Sequence, residues 1–237
     1  SSDVCSSDLS GSRRWGRIKP MIQLNDVYKF YKTDRHTKVI LDHVSVNFDS
    51  NRSYGLMGVN GAGKSTTLRL IAGTELPNSG SIRRSARVSW PLGFAGGFHP
   101  EMSGRENALF VARVYGADAR RAVSFVEDFS ELGDYLDVAV KTYSSGMMAR
   151  LGFAMSMAID FDVYLIDEVT AVGDVRFQQR CRDAFERKRK NSGLILVSHT
   201  MSTITEYCDH AGVLVDGRII MLESVSKAIE LYNRLNR

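Results

Sequence analysis

Cysteine is scarce in this chain of 237 residues: only Cys5, Cys181 and Cys208 are present. An odd count without paired spacing gives neither a disulfide framework nor a metal-ligand signature, and it suits a reducing compartment. Long apolar runs are also missing. The longest candidate, 151–159, falls well short of the roughly 18–20 residues that cross a bilayer, so any membrane role has to come through a partner. Charge of one sign does not dominate, since 31 Lys and Arg face 27 Asp and Glu for a net +4. The one basic cluster, Arg187 to Lys190, reads as a solvated helix end, and no nucleic-acid partner is expected from it. No solenoid-length repeat occurs. A hydrophobic share of 43% and a charged share of 24% are those of a globular protein able to bury a sizeable core.

Residues 1–20 nearly repeat themselves (SSDV, SSDL) and then turn basic. They lack the apolar stretch of a secretory signal. They read as a non-native or disordered extension, with a basic arm touching lipid headgroups as the competing reading. Domain-like sequence begins at Met21.

From Met21 the chain alternates strand and helix signals. Strands are expected at 22–27, around Val44, Val46 and Phe48, at 53–57, 87–90, 163–166, 194–197 and 213–215. Helices are expected at 64–72, over most of 104–159 with breaks at Gly116 and around 133–142, at 175–190, and from Ser224 onward. Short, fully apolar strands separated by helices indicate a parallel sheet covered on both faces. The helical stretch between two strand-rich halves, about 100–158, reads as an inserted subdomain.

Two places carry chemistry. Residues 58–65, from Gly58 through Val59, Asn60, Gly61, Ala62 and Gly63 to Lys64 and Ser65, satisfy G-x-x-x-x-G-K-[ST] between a strand and a helix. Glycines let backbone N–H groups turn toward phosphate oxygens, and the helix start adds positive partial charge. Lys64 can reach the β- and γ-phosphates, and the Ser65 hydroxyl, followed by Thr66, can ligate Mg²⁺. The second place is the apolar strand 163–166, which runs into Asp167 and Glu168, at the kind of strand end where open α/β sheets place ligands. Asp167 is the candidate Mg²⁺ ligand and Glu168 the candidate base for an attacking water. His199 ends the next apolar strand and is a candidate γ-phosphate contact.

Between these places stands Tyr143-Ser-Ser-Gly-Met147, which resembles the LSGGQ signature of ABC ATPases. Phosphate loop, helical region, signature, acid pair and histidine follow in order, and the resemblance covers 21–237. It implies an α/β P-loop NTPase with a RecA-like parallel core, an antiparallel β subdomain and an inserted helical subdomain. It also implies that Tyr31, with Tyr28 and Phe30 as neighbours, stacks on adenine. Ser144 and Gly146 would then contact ATP held by a second copy, Asp174 would lie in the loop between copies, and His199 would be the switch histidine. The implied machine is a homodimer that sandwiches two ATP and passes motion to a membrane permease.

Two departures narrow the subfamily. The acid pair continues Val169-Thr-Ala-Val-Gly-Asp174 rather than Pro-Thr-Ser-Ala-Leu-Asp, and this, with residues 89–100 and 104–107, looks like the polysaccharide-exporting branch. The glutamine that family members carry in that region is missing: none occurs between Met57 and Phe177, so its role has no candidate. Gly93, Gly96 and Gly97 suggest instead a flexible connector facing the membrane partner. One exporter branch adds a C-terminal carbohydrate-binding domain. The end of this sequence at Arg237 points rather to the capsule-export ATPases, which pair with a short six-helix permease at the cytoplasmic face of the bacterial inner membrane and need not read the glycan. Teichoic acid or O-antigen export is a nearby alternative. A soluble ABC-type ATPase acting on ribosomes or DNA is a more distant one, as is a nucleotide-binding scaffold without turnover.

Overall fold

The computed structural model describes residues 20–33, 36–49, 52–92, 97–167 and 174–236. Strands β1 (Pro20–Lys32), β2 (Thr37–Asp49) and β4 (Ser79–Arg84) form a three-stranded antiparallel sheet in the order β2-β1-β4. The second sheet has six strands in the order β5-β6-β7-β3-β8-β9, comprising β3 (Ser53–Met57), β5 (Val88–Pro91), β6 (Val163–Asp167), β7 (Gly193–Val197), β8 (His210–Val215) and β9 (Arg218–Leu222). All neighbours in this sheet run parallel except β9, which closes one edge antiparallel to β8.

The apolar runs in the middle strands are explained by burial on both faces. Tyr164 and Ile166 of β6, with Leu194 and Leu196 of β7, enter one core. Val163, Leu165, Ile195 and Val197 alternate into the other. Helix α1 (Lys64–Ala72) covers the second face through Leu68 and Ile71, which are fully buried beside Leu56 and the inner residues of β1 and β2. On the first face lie α2 (Gly104–Val114), α3 (Ala119–Ser130), α4 (Ser145–Ala158) and α5 (Val175–Arg189). Two short 3-10 turns, 133–137 and 140–142, link α3 to α4. Helices α6 (Met201–Tyr207) and α7 (Val225–Leu235) complete the described chain. Ala228 of α7 is fully buried, with Val225, Ile229 and Tyr232 packed partly beside it, the face that sequence periodicity marks.

Local sequence explains the helix bounds. Ser103 and Glu106 form a reciprocal capping box at the start of α2, which satisfies two orphan amides. Asp118 caps α3, and Gly116, at φ 64°, supplies the left-handed turn between the two helices. The last turn of α5 carries Arg187, Lys188 and Arg189, where cations complement the helix dipole.

Candidate functional site

Strand β3 lies between β7 and β8, and β7 lies between β3 and β6. Leu56, Val197 and Asp167 are register partners and form one row across β3, β7 and β6. The chain leaves that row into the phosphate loop at Gly58 and into His199 after β7, and Asp167 ends β6 in the row itself. The phosphate loop, Asp167 and the segment that leads to His199, far apart in sequence, thus meet at the carboxyl ends of three neighbouring strands. Asp167 is half-buried and His199 exposed. Glu168 lies outside the described residues, as do Gly93 and Gly96 of the glycine-rich segment.

The phosphate loop has the geometry of an anion cradle. Gly61 and Gly63 take φ of 77° and 109°, open to glycine and strained for other residues. A Cβ on Gly58 would stand 2.8 Å from the Leu214 carbonyl oxygen, and one on Gly63 would stand 2.4 Å from Ile40 Cγ2. Gly63 caps α1 without a side-chain hydrogen bond, and no acid occupies the first turn. Its N-terminal amides therefore keep their positive field. Lys64 is 8% exposed, and its ammonium donates to the carbonyls of Gly58 and Val59 at 2.8 and 3.1 Å, over the loop. Ala62 closes the loop by donating its amide to Val59, Asn60 is exposed near the tip, and Ser65 is half-buried. Thr66 is buried, and its hydroxyl accepts from Arg69 at 3.0 Å. A polyphosphate fits this cradle: three glycines open its backbone, its helix start has no side-chain cap and its ammonium is already inside. Mg²⁺ fits the donor set as well, because it needs only a hydroxyl and a carboxylate when phosphate and water fill its other positions. Among the described residues no cluster of three or more His, Cys, Asp or Glu offers an all-protein metal site.

Ser144, Ser145 and Gly146 are exposed at the start of α4. Ser144 caps the helix by accepting the Met147 amide at 3.2 Å, and a Cβ on Gly146 would meet nothing nearer than Ser144 Oγ at 3.9 Å. The signature thus presents its helix start, capped by Ser144 alone, to solvent. Asp174 caps α5 by accepting from the Phe177 amide at 2.9 Å. Its other oxygen accepts from Arg150 of α4 at 2.9 Å, and Arg150 also holds Glu131 at 3.1 Å. The Phe177 amide first, then the nearby Arg150 guanidinium, keep the Asp174 carboxyl below its usual range. Arg150 was invisible as a site residue in the sequence, although it stands on the signature helix six positions after Ser144.

Of the three neighbouring aromatics on β1, Tyr31 is the one tied to α1. Its hydroxyl donates to Glu75, which also accepts from Arg69 at 3.0 Å. Tyr28 instead stacks on His43, with ring centroids 5.1 Å apart. Lys38 pairs with Tyr31 across the hairpin, and its ammonium lies 3.4 Å from where a Cβ on Gly61 would stand. Nothing local in the sequence marks Glu75 or Lys38.

The family model described as ABC transporter matches residues 41–171. The capsule polysaccharide export ATP-binding protein CtrD of Neisseria meningitidis serogroup B is 46% identical over 215 residues, which cover 91% of this chain and 100% of that protein. The polysialic acid transport ATP-binding protein KpsT of Escherichia coli is 44% identical over 215 residues, 90% of this chain and 96% of that one. Among solved structures, the dimeric post-hydrolysis ATP-binding cassette MJ0796 with ADP and Pi superposes with a TM-score of 0.68 at 19% identity, over 84% of this chain and 96% of that one. That likeness establishes the fold: a P-loop NTPase of the ABC cassette type.

Proposed function

We propose, from the premise that this chain belongs to the ABC transporter family of ATP-binding proteins, that it hydrolyses ATP to drive export of a capsular polysaccharide through a separate membrane permease. The observation that carries the cargo is the 44–46% identity, over about nine-tenths of the chain, to proteins named for capsule and polysialic acid export. No helix among the described residues is long and apolar enough to cross a membrane, which agrees with a peripheral subunit on the cytoplasmic face of the bacterial inner membrane. The permease is of the six-helix kind, and the glycan is handled there rather than by this chain.

In this reading the functional unit is 21–237, with 1–20 an extension and about 100–158 a helical subdomain that carries the signature. Adenine stacks on Tyr31. The phosphates lie on the amides of 58–66, and Lys64 neutralises the charge that builds on them during transfer. Ser65 and Asp167 would hold Mg²⁺, which when bound offsets phosphate charge and orients the terminal group. Glu168 accepts the proton of the attacking water, and His199 steadies the γ-phosphate from the neighbouring strand end. The helix start at Ser144 and Gly146 is exposed to solvent. It completes the site of a second copy, whose ATP is thereby sandwiched in a head-to-tail dimer, and Asp174 lies between the copies. Hydrolysis releases the sandwich, and that motion reaches the permease.

The test is copurification from membranes of the source cell, with tagged Glu168→Gln protein held closed by ATP. Recovery of a permease encoded beside capsule genes supports the reading. Recovery of ribosomes or DNA without a membrane protein overturns it and leaves the ATPase chemistry standing.

A further inference from the structure

Glu75 lies just beyond α1, outside the phosphate loop, and no motif gives it a task. Three donors converge on it. The Lys29 ammonium lies at 2.7 Å, Arg69 Nε at 3.0 Å, and the Tyr31 hydroxyl completes the set. The cluster is largely withdrawn from water, since the Glu75 and Lys29 side chains are 19% and 10% exposed. Burial alone would raise the Glu75 carboxyl. Its hydrogen bonds from Lys29, Tyr31 and Arg69 outweigh that and hold it at about 2, so it is charged at any physiological pH. Arg69 extends the cluster into α1 through the Thr66 hydroxyl at 3.0 Å, directly behind Lys64 and Ser65. Lys29 also donates to the Leu76 carbonyl at 2.9 Å and lies 5.0 Å from the Tyr31 ring centroid. One carboxylate thus ties β1 to the helix that begins at the phosphate loop, and it does so through the tip of an aromatic ring that is itself 38% exposed.

We propose that Glu75 is a positioning residue for purine recognition: it pins the hydroxyl end of Tyr31 to α1, so that the open ring stands at a set distance from the phosphate loop before nucleotide arrives. The inference rests on the reading of Tyr31 as the adenine platform. A tyrosine at an exposed position samples several rotamers, and binding would have to freeze it. With its tip bonded, that ordering is done when the protein folds. The phosphates and the base can then be bound together, because the ring and the loop are held by one cluster.

The experiment is calorimetric titration of the full chain with ATP and, separately, with inorganic tripolyphosphate, both with Mg²⁺. Four variants are compared: Tyr31→Phe, Glu75→Gln, the two combined, and Tyr31→Ala. Tyr31→Phe keeps the ring and leaves the Glu75, Lys29 and Arg69 pairs in place, so it protects the test against a Glu75→Gln protein that fails to fold. We expect Tyr31→Phe and Glu75→Gln each to weaken ATP about two- to tenfold, the affinity equivalent of ordering one side chain. The double variant loses no more than the weaker single, and tripolyphosphate affinity stays at the wild-type value. If Tyr31→Ala leaves the ratio of the two affinities unchanged, the ring is not the platform, and that part of the proposed site falls. If Tyr31→Ala shifts the ratio while Tyr31→Phe and Glu75→Gln do not, the platform stands and the role of Glu75 is overturned. Equal weakening of ATP and tripolyphosphate by Glu75→Gln also overturns it, because the carboxylate would then act on the phosphate loop through Arg69.

Discussion

A single methyl group at Gly63 should cost the protein much of its stability. Gly63 takes φ 109° and ψ 13°, and left-handed backbone costs a residue with a Cβ about 1–2 kcal/mol. The added carbon would stand 2.4 Å from Ile40 Cγ2, more than about 1 Å inside normal carbon–carbon contact. Ile40 is 4% exposed in β2 and has little room to yield. Overpacking of this kind costs about 1–3 kcal/mol. The two terms together give about 2–5 kcal/mol, or a fall in Tm of about 5–20 °C for a chain of this size. Gly97→Ala is the control: a Cβ there meets nothing within 4 Å among the described residues, and its φ lies outside the left-handed region. It should stay within about 0.5 kcal/mol of wild type. Both variants can be followed by denaturant unfolding and by nucleotide titration, and Gly63→Ala should lose nucleotide affinity as well. Equal unfolding midpoints for the two variants would refute the reasoning, since backbone strain and the Ile40 contact are present at Gly63 and absent at Gly97 among the described residues.

Three further outcomes follow from the same geometry. Lys64→Ala should weaken ATP about 10- to 100-fold in calorimetry, the range of a lost charge-assisted hydrogen bond, and unchanged affinity would contradict the cradle. Burial pushes the thiols of Cys181 and Cys208 up to about 12, so both should resist iodoacetamide at pH 8 in folded protein and react once denatured. Rapid native alkylation of either would count against that burial. Glu75, held at about 2 in the folded chain against an ordinary 4.5, stabilises the fold fully above pH 4.5, and this contribution is lost as pH falls toward 2. The gap in urea midpoint between wild type and Glu75→Gln should therefore narrow from pH 7 to pH 3, and a gap that widens would contradict the ion cluster.

Much of the core was legible in the sequence because its signals are local. Strand 53–57 and helix 64–72 stand where the phosphate-loop pattern puts them, and 163–166 of β6 and 194–197 of β7 are apolar because they are covered on both faces. Three elements gave no such signal. Strand β4 is polar, with only Ile82 partly buried, and is held in place by pairing with β1. Strand β9 is a half-exposed edge fixed by β8. Helix α6 is seven residues long and buries Ile204 alone. The site divides in the same way. The loop, the acid at the end of β6 and the histidine after β7 were readable because each follows its own strand, and parallel register does the rest. The partners of Tyr31 and Asp174 were not. Glu75 is 44 residues from Tyr31 and Arg150 is 24 from Asp174, and contacts of that span leave no periodic trace.

Single-turnover hydrolysis of Mg-ATP, read as phosphate release from wild-type and Glu168→Gln protein at saturating nucleotide, tests the central claim most directly. The account predicts that both proteins bind ATP with similar affinity and that Glu168→Gln releases phosphate about 10²–10⁴-fold more slowly, the range for loss of a general base. Equal release rates in the two proteins would contradict it.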